Sequence, residues 1–175
     1  MLRVYARPCA FLLNGNKIAP QRVLPGTVLP RHSRVLIVAR RTADSPQLIR
    51  AVAQRAQQGP CNFTLLVPAF PVGVHRFGDP TDPGQRAAER RIGAAVPLLS
   101  RAAGAEVVAV IGATEPLVAV RDALDLLGFD EVIVSMLPPR ASRWRQLGLP
   151  GKIRALGVPV TEVVSRLPAP PVPAA

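Results

Sequence analysis

Between residues 34 and 164, short apolar runs alternate with longer stretches whose apolar positions recur at helical spacing. RVLIVA (34–39) is, after Arg34, a short apolar run rich in β-branched residues, which reads as a strand buried on both faces. FTLLVP (63–68), EVVAVIG (106–112), EVIVSM (131–136) and VPVTEVV (158–164) read as four further strands. After the first run, Ser45 is placed as an N-cap and Pro46 at the first helical position. Leu48, Ile49, Val52, Ala53 and Ala56 then keep one helical face, and Gly59 is the expected stop. A second helix is expected over 85–103, with Ala88, Ile92, Ala95, Val96, Leu99 and Ala102 on one side and Pro97 kinking or dividing it. Thr114, Glu115 and Pro116 open a third helix that Gly128 closes. Ser142 caps a short helix, which Pro150 interrupts and restarts and Gly157 ends.

Strands alternating with helices imply parallel pairing and a sheet covered on both faces. The expected fold is α/β: a doubly wound, five-stranded parallel sheet of order 3-2-1-4-5, Rossmann-like in layout. The flanks read differently. Residues 1–33 hold Arg3, Arg7, Lys17, Arg22 and Arg31 with no acid, and Pro8, Pro20, Pro25 and Pro30 break any long element. They read as a disordered basic leader, as translation from a start upstream of the true one, or as a basic arm for a polyanion. Residues 34–166 form the α/β domain, and 167–175 a proline-rich, disordered tail.

Composition changes this picture in two ways. Aromatic residues are only 4% of a chain that is 49% apolar, so the core is built from Val, Leu, Ile and Ala. The net charge of +11 raises a polyanion as partner, although a G+C-rich coding sequence would raise Arg, Ala, Pro and Gly together without any such role. Cys9 and Cys61 make no metal or disulfide framework and fit a reducing compartment. No apolar run approaches the ~20 residues that span a bilayer. A cytoplasmic protein with no membrane partner is expected.

In an open parallel sheet, ligands bind beyond the carboxyl ends of the strands where the order reverses, here between the first and fourth strands. That brings the loops 40–44 and 137–142 to one crevice. Arg40, Arg41, Arg140 and Arg143 would supply guanidinium groups there, and Thr42, Ser135 and Ser142 hydroxyl donors, for a phosphate or carboxylate. Trp144 either stacks on a base or, more economically, anchors its segment beside Leu147 and Leu149. Catalytic signals are lacking: His32 and His75 fall in no metal spacing, and neither Gly-x-Ser-x-Gly nor a P-loop occurs. No metal and no catalytic residue is assigned.

The stretches VLIVARRTADSPQLIRAVAQRA, AVRDALDLLGFDEVIVSM and GVPVTEV resemble the universal stress protein (UspA-like) family over roughly residues 34–165, most closely its small divergent members. The resemblance implies a stress-response binding protein and a homodimer through the last strand, at Val158, Val160, Glu162 and Val164. The family's ATP-binding members carry an adenine-contacting aspartate where this chain has Arg40. They also carry Gly-x2-Gly-x9-Gly-[Ser/Thr] where it has Met136, Pro139, Leu149 and Pro150. Glycine admits the close approach of backbone to phosphate, and proline removes N–H donors. ATP or AMP in the family's usual mode is therefore not expected, and no cofactor is assigned. Three functions follow in order: a non-enzymatic protein binding an anion, a nucleotide-like ligand or a protein partner; a nucleic-acid- or ribosome-associated basic module; and a small hydrolase or transferase using the arginine crevice.

Overall fold

In the computed structural model, residues 3–5, 32–69 and 83–166 are described. Five parallel strands form the body of the sheet: β2 (Ser33–Val38), β3 (Cys61–Pro68), β4 (Val108–Gly112), β5 (Glu131–Met136) and β6 (Val160–Val164). Their spatial order is β4-β3-β2-β5-β6, which is the expected 3-2-1-4-5. The reversal lies between β2 and β5, where Val35 pairs with Glu131 and Val38 with Val134.

The central strands β2 and β5 read as near-continuous apolar runs because their two faces feed two separate cores. On one face Val35, Ile37, Phe63, Leu65, Val67, Ala109, Ile111 and Ile133 pack against α1 (Pro46–Gln57) and α2 (Pro83–Ala103). On the other, Leu36, Val38, Leu66, Val110, Val132, Val134 and Met136 meet α3 (Pro116–Leu127), α4 (Arg143–Gln146) and α5 (Leu149–Arg154). The period-two alternation of a pleated strand sends odd and even residues to opposite cores. Burying each such Val or Leu contributes about 1.5–3 kcal/mol.

The helix signals are realised locally. Ser45 Oγ accepts from Leu48 N–H at 3.3 Å, and Gly128 ends α3 in the left-handed region at φ 64°. Pro150 lies in the first turn of α5, where its missing N–H is harmless. Pro97 does not divide α2, which runs unbroken from Pro83 to Ala103. Pro97 and Gly93, four residues earlier, are both exposed, so the carbonyl that proline leaves unpartnered faces water. Gly112 has a packing reason: a Cβ there would lie 2.6 Å from Ala119 Cβ and 2.9 Å from Leu66 Cδ1, so α3 can seat against β4 only over glycine.

One expectation about the leader is corrected. Arg3–Tyr5 form β1, antiparallel to β4, with Arg3 opposite Ile111 and Tyr5 opposite Ala109. The edge of β4 offers a row of backbone donors and acceptors, and three residues suffice to cover it. The rest of the leader (6–31), the loop 70–82 with His75, and the tail 167–175 lie outside the described residues. Cys61 is a buried free thiol; burial pushes its pKa up, Arg55 pulls it down and Glu131 raises it. Among the described residues no helix is long and apolar enough to cross a membrane.

Candidate functional site

At the carboxyl end of β2 the chain turns sharply through Arg40–Asp44 into α1, and at the carboxyl end of β5 it turns through Pro138–Ala141 into α4. The two turns border a crevice of about 140 Å³ at the point of strand reversal. Arg40, Arg41 and Thr42 form one wall. Ser135, Met136 and Leu137 form the floor, and Ala141, Ser142, Arg143 and Trp144 the other wall. Six of the seven expected ligand residues are thus brought together. Arg140 is not: it sits exposed on the turn and does not line the crevice.

Two of the six serve a different purpose from the one expected. Thr42 Oγ1 donates to the Ser135 carbonyl at 3.0 Å, and Ser135 Oγ donates to Thr42 Oγ1 at 2.9 Å. Ser135 Oγ also lies 2.9 Å from Ser165 Oγ, and Ser45 Oγ donates to Ser165 Oγ at 2.8 Å. A hydroxyl has one proton. With the Ser135 proton on Thr42, Ser165 must be the donor to Ser135. The chain therefore runs one way: Leu48 N–H, Ser45, Ser165, Ser135, Thr42, and finally the Ser135 carbonyl. All four side chains are buried. Every donor finds an acceptor, so these hydroxyls fasten the N-terminus of α1 to the ends of β2, β5 and β6. Their protons are committed within this run of hydrogen bonds.

Sequence reasoning identified Ser45 only as a cap and missed Ser165. The signal for Ser165 was its place one residue beyond an edge strand whose preceding residues are apolar. Its backbone N–H adds a bond to Met136 O at 2.7 Å, which extends the β5–β6 pairing into the crevice floor.

The arginines are arranged otherwise. Arg40 is half-buried, with its Cζ 5.7 Å from the centroid of the Trp144 ring, a cation–π contact. Its pKa lies below the usual arginine value, first through burial and then through the like charges of Arg41 and Arg143. Asp44 pairs with Arg91 of α2 at 3.2 Å, and Glu162 with Arg154 at 2.7 Å and Arg145 at 3.8 Å. Trp144 is 8% exposed and belongs to the core beneath α4 and α5, so the anchor reading holds. Ser142 accepts from Arg145 N–H at 3.3 Å as the cap of α4. Ser142 also lines the crevice, beside Arg143.

The loop that carries this wall gives little backbone donation. Pro138 and Pro139 have no N–H, and Ala141 N–H closes the turn onto Pro138 O at 2.8 Å. Among the described residues there is no group of three or more metal-ligating side chains.

No protein-family model matches the chain, and no curated protein matches it in sequence. Solved structures do match. A universal stress protein from Archaeoglobus fulgidus superposes with a TM-score of 0.56 at 16% identity, covering 75% of this chain and 93% of the other. The universal stress protein from the same organism in complex with dAMP gives 0.55 at 16% identity, over 77% and 99%. A universal stress protein in complex with cAMP gives 0.52 at 18% identity, again over 77% and 99%. The fold of this chain is that of the universal stress proteins.

Proposed function

We propose that this protein is a non-enzymatic, cytoplasmic universal-stress-type binding protein whose ligand is a small anion or nucleotide-like molecule held in the arginine crevice. The reading rests on one observation: Arg40, Arg41 and Arg143 line one crevice at the strand reversal, where burial first and then the like charges of Arg41 and Arg143 lower the Arg40 pKa. A site that crowds positive charge gains most from a ligand that brings negative charge. The structural neighbours solved with dAMP and cAMP support a nucleotide-like ligand. The substitution of Arg40 for the family's aspartate, and of Met136 and Pro139 for its glycines, argues against ATP in the usual mode. Isothermal titration of the full chain with ATP, AMP, cyclic AMP and simple phosphate anions tests the proposal. Heat from at least one is expected, and silence from all of them removes it.

The partner most favoured is a second copy of the chain across β6. Among the described residues β6 pairs only with β5, while the opposite edge of the sheet is covered by β1. Val164 is 44% exposed at that edge, and Val158 and Val160 are half-buried. Glu162 is held by Arg154 and Arg145, so it can stay on its own chain while backbone pairs across the edge. Light scattering on the eluting protein is expected to give a dimer mass, and a monomer mass at all concentrations rejects this edge. A nucleic-acid role has charge in its favour but no base-stacking platform at the crevice, because Trp144 is buried there.

A further inference from the structure

We infer that an apolar groove at the amino end of the sheet is the seat of the chain's own leader, through residues 9–13, Cys-Ala-Phe-Leu-Leu. The inference is independent of any ligand at the strand reversal.

The groove exists because of where α3 ends. On the face of the sheet packed by α1 and α2, the amino-terminal part of β3 is closed: Cys61 is buried and Phe63 is 2% exposed. On the α3 face the same strand end is open. Asn62 is exposed and Thr64 half-buried, and Val108, the register partner of Thr64 on β4, is exposed as well. α3 stops at Leu127, and the chain passes through Gly128 and Phe129 to β5 without covering these positions. Arg34, Thr64, Val108, Val110, Leu127 and Phe129 border a groove of about 180 Å³. An apolar cavity of about 150 Å³ takes up benzene, so there is room here for one aromatic ring. Leu126, 70% exposed, extends the apolar surface beside it. Contiguous exposed apolar surface of this kind marks a docking site.

The path of the chain names the occupant. β1 runs antiparallel to β4 with Tyr5 opposite Ala109, so the chain leaves β1 toward the amino end of the sheet. It must return at Ser33, which opens β2 beside Cys61, on the far side of β3 from β4. The direct crossing is roughly 20 Å, about seven extended residues. Residues 6–31 are available for it, several times what it needs. The crossing passes the amino ends of β4 and β3, where the groove opens. Residues 9–13 begin four positions after Tyr5 and are the longest unbroken apolar run of the leader. They include Phe11, a ring of the size the groove admits, and Asn14-Gly15 follows as a turn signal. Charge agrees. Residues 6–31 carry Arg7, Lys17, Arg22 and Arg31 with no acid, while Glu106, Asp125 and Asp130 are exposed within two residues of the groove lining. A tethered segment also acts at an effective concentration in the mM range, which favours it over a free peptide or a second copy.

The test is cross-linking in the full chain. The run brings its own thiol, Cys9, and Cys61 is buried. With Leu127→Cys, a disulfide from Cys9 to position 127 is expected at monomer mass on a denaturing, non-reducing gel. Diamide, a diazene oxidant, takes up the two thiol hydrogens as the S–S bond forms. Leu98→Cys, as exposed but on α2 across the sheet, is expected to close at least about tenfold more slowly. Phe11→Asp is expected to slow closure to position 127 about tenfold and to raise the fluorescence of the apolar dye ANS, with circular dichroism unchanged. Thr64→Cys, on the strand side of the groove, is read in the same way and covers the case in which Leu127→Cys does not fold. Equal closure at 127 and 98 overturns the inference. A disulfide-linked dimer at 127 overturns it in favour of a leader exchanged between two copies. Closure that Phe11→Asp leaves unchanged shows that the apolar run is not what the groove holds, and overturns it too.

Discussion

The same pair of strands, β2 and β5, carries arginine at both ends, and the two ends treat it in opposite ways. At the amino end, Arg34 N–H donates to Asp130 Oδ2 at 2.7 Å, Asp130 N–H returns to Arg34 O at 2.9 Å, and the Arg34 guanidinium donates to Leu127 O at 2.8 Å. Close by, Arg55 of α1 is ion-paired with Glu131. Each positive charge there meets an acid or the negative end of α3. At the carboxyl end, Arg40 lies over the Trp144 ring and lines the crevice with Arg41 and Arg143. Counting arginines in a basic chain cannot separate these cases. Their neighbours do: the amino end uses guanidinium groups as staples, and the carboxyl end gathers them around a space.

Substitutions grade this contrast. The largest effect is expected where both ends depend on one residue. Leu36, fully buried in the middle of β2, is such a residue. Leu36→Ala should cost about 2–5 kcal/mol in urea unfolding and weaken both ends together. Next comes Ser165→Ala, which strips the acceptor from the buried Ser45 hydroxyl and the donor from Ser135 while leaving every crevice arginine in place. A loss of about 1–3 kcal/mol is expected, with anion binding retained. A loss under ~0.5 kcal/mol would mean that the hydroxyl chain holds nothing together. Arg34→Ala follows, at about 1 kcal/mol, since one charge-assisted bond is lost from an exposed side chain. Ligand affinity should not change; if it falls with stability, the two ends are not independent.

The sequence made the scaffold legible and the site only partly so, for physical reasons. Strand order and helix starts follow from local signals that survive intact: β-branched runs, Ser45–Pro46, and Gly128 at a left-handed cap. The crevice walls followed from topology alone, because parallel sheets put their switch point in a known place. Arg140 was placed there by its nearness in sequence to Arg143, but the turn 138–141 points it outward. Thr42 and Ser135 were credited with ligand contacts because a hydroxyl's partner is set by tertiary proximity across 93 residues, which no local pattern encodes. β1 left no signal either. Three residues carry no period, and what selects them is the open edge of β4.

The finest test is Arg40→Ala, where stability and binding should part. Removing Arg40 loses its contact with Trp144, worth about 0.5–1 kcal/mol at such sites. It also removes a half-buried charge disfavoured first by burial and then by Arg41 and Arg143, a gain of opposite sign. The two act in opposite directions, so the unliganded unfolding free energy should change by less than the loss expected for Arg34→Ala, and Arg40→Lys should behave alike. The anion that gives heat on titration, at about 100 times its dissociation constant, should add roughly 2.7 kcal/mol to wild type, and a small fraction of that to Arg40→Ala at the same concentration. Lysine, a point charge without the fork, should restore only part. If Arg40→Ala instead melts as Arg34→Ala does and keeps its response to that anion, Arg40 is one more staple and the contrast between the ends disappears.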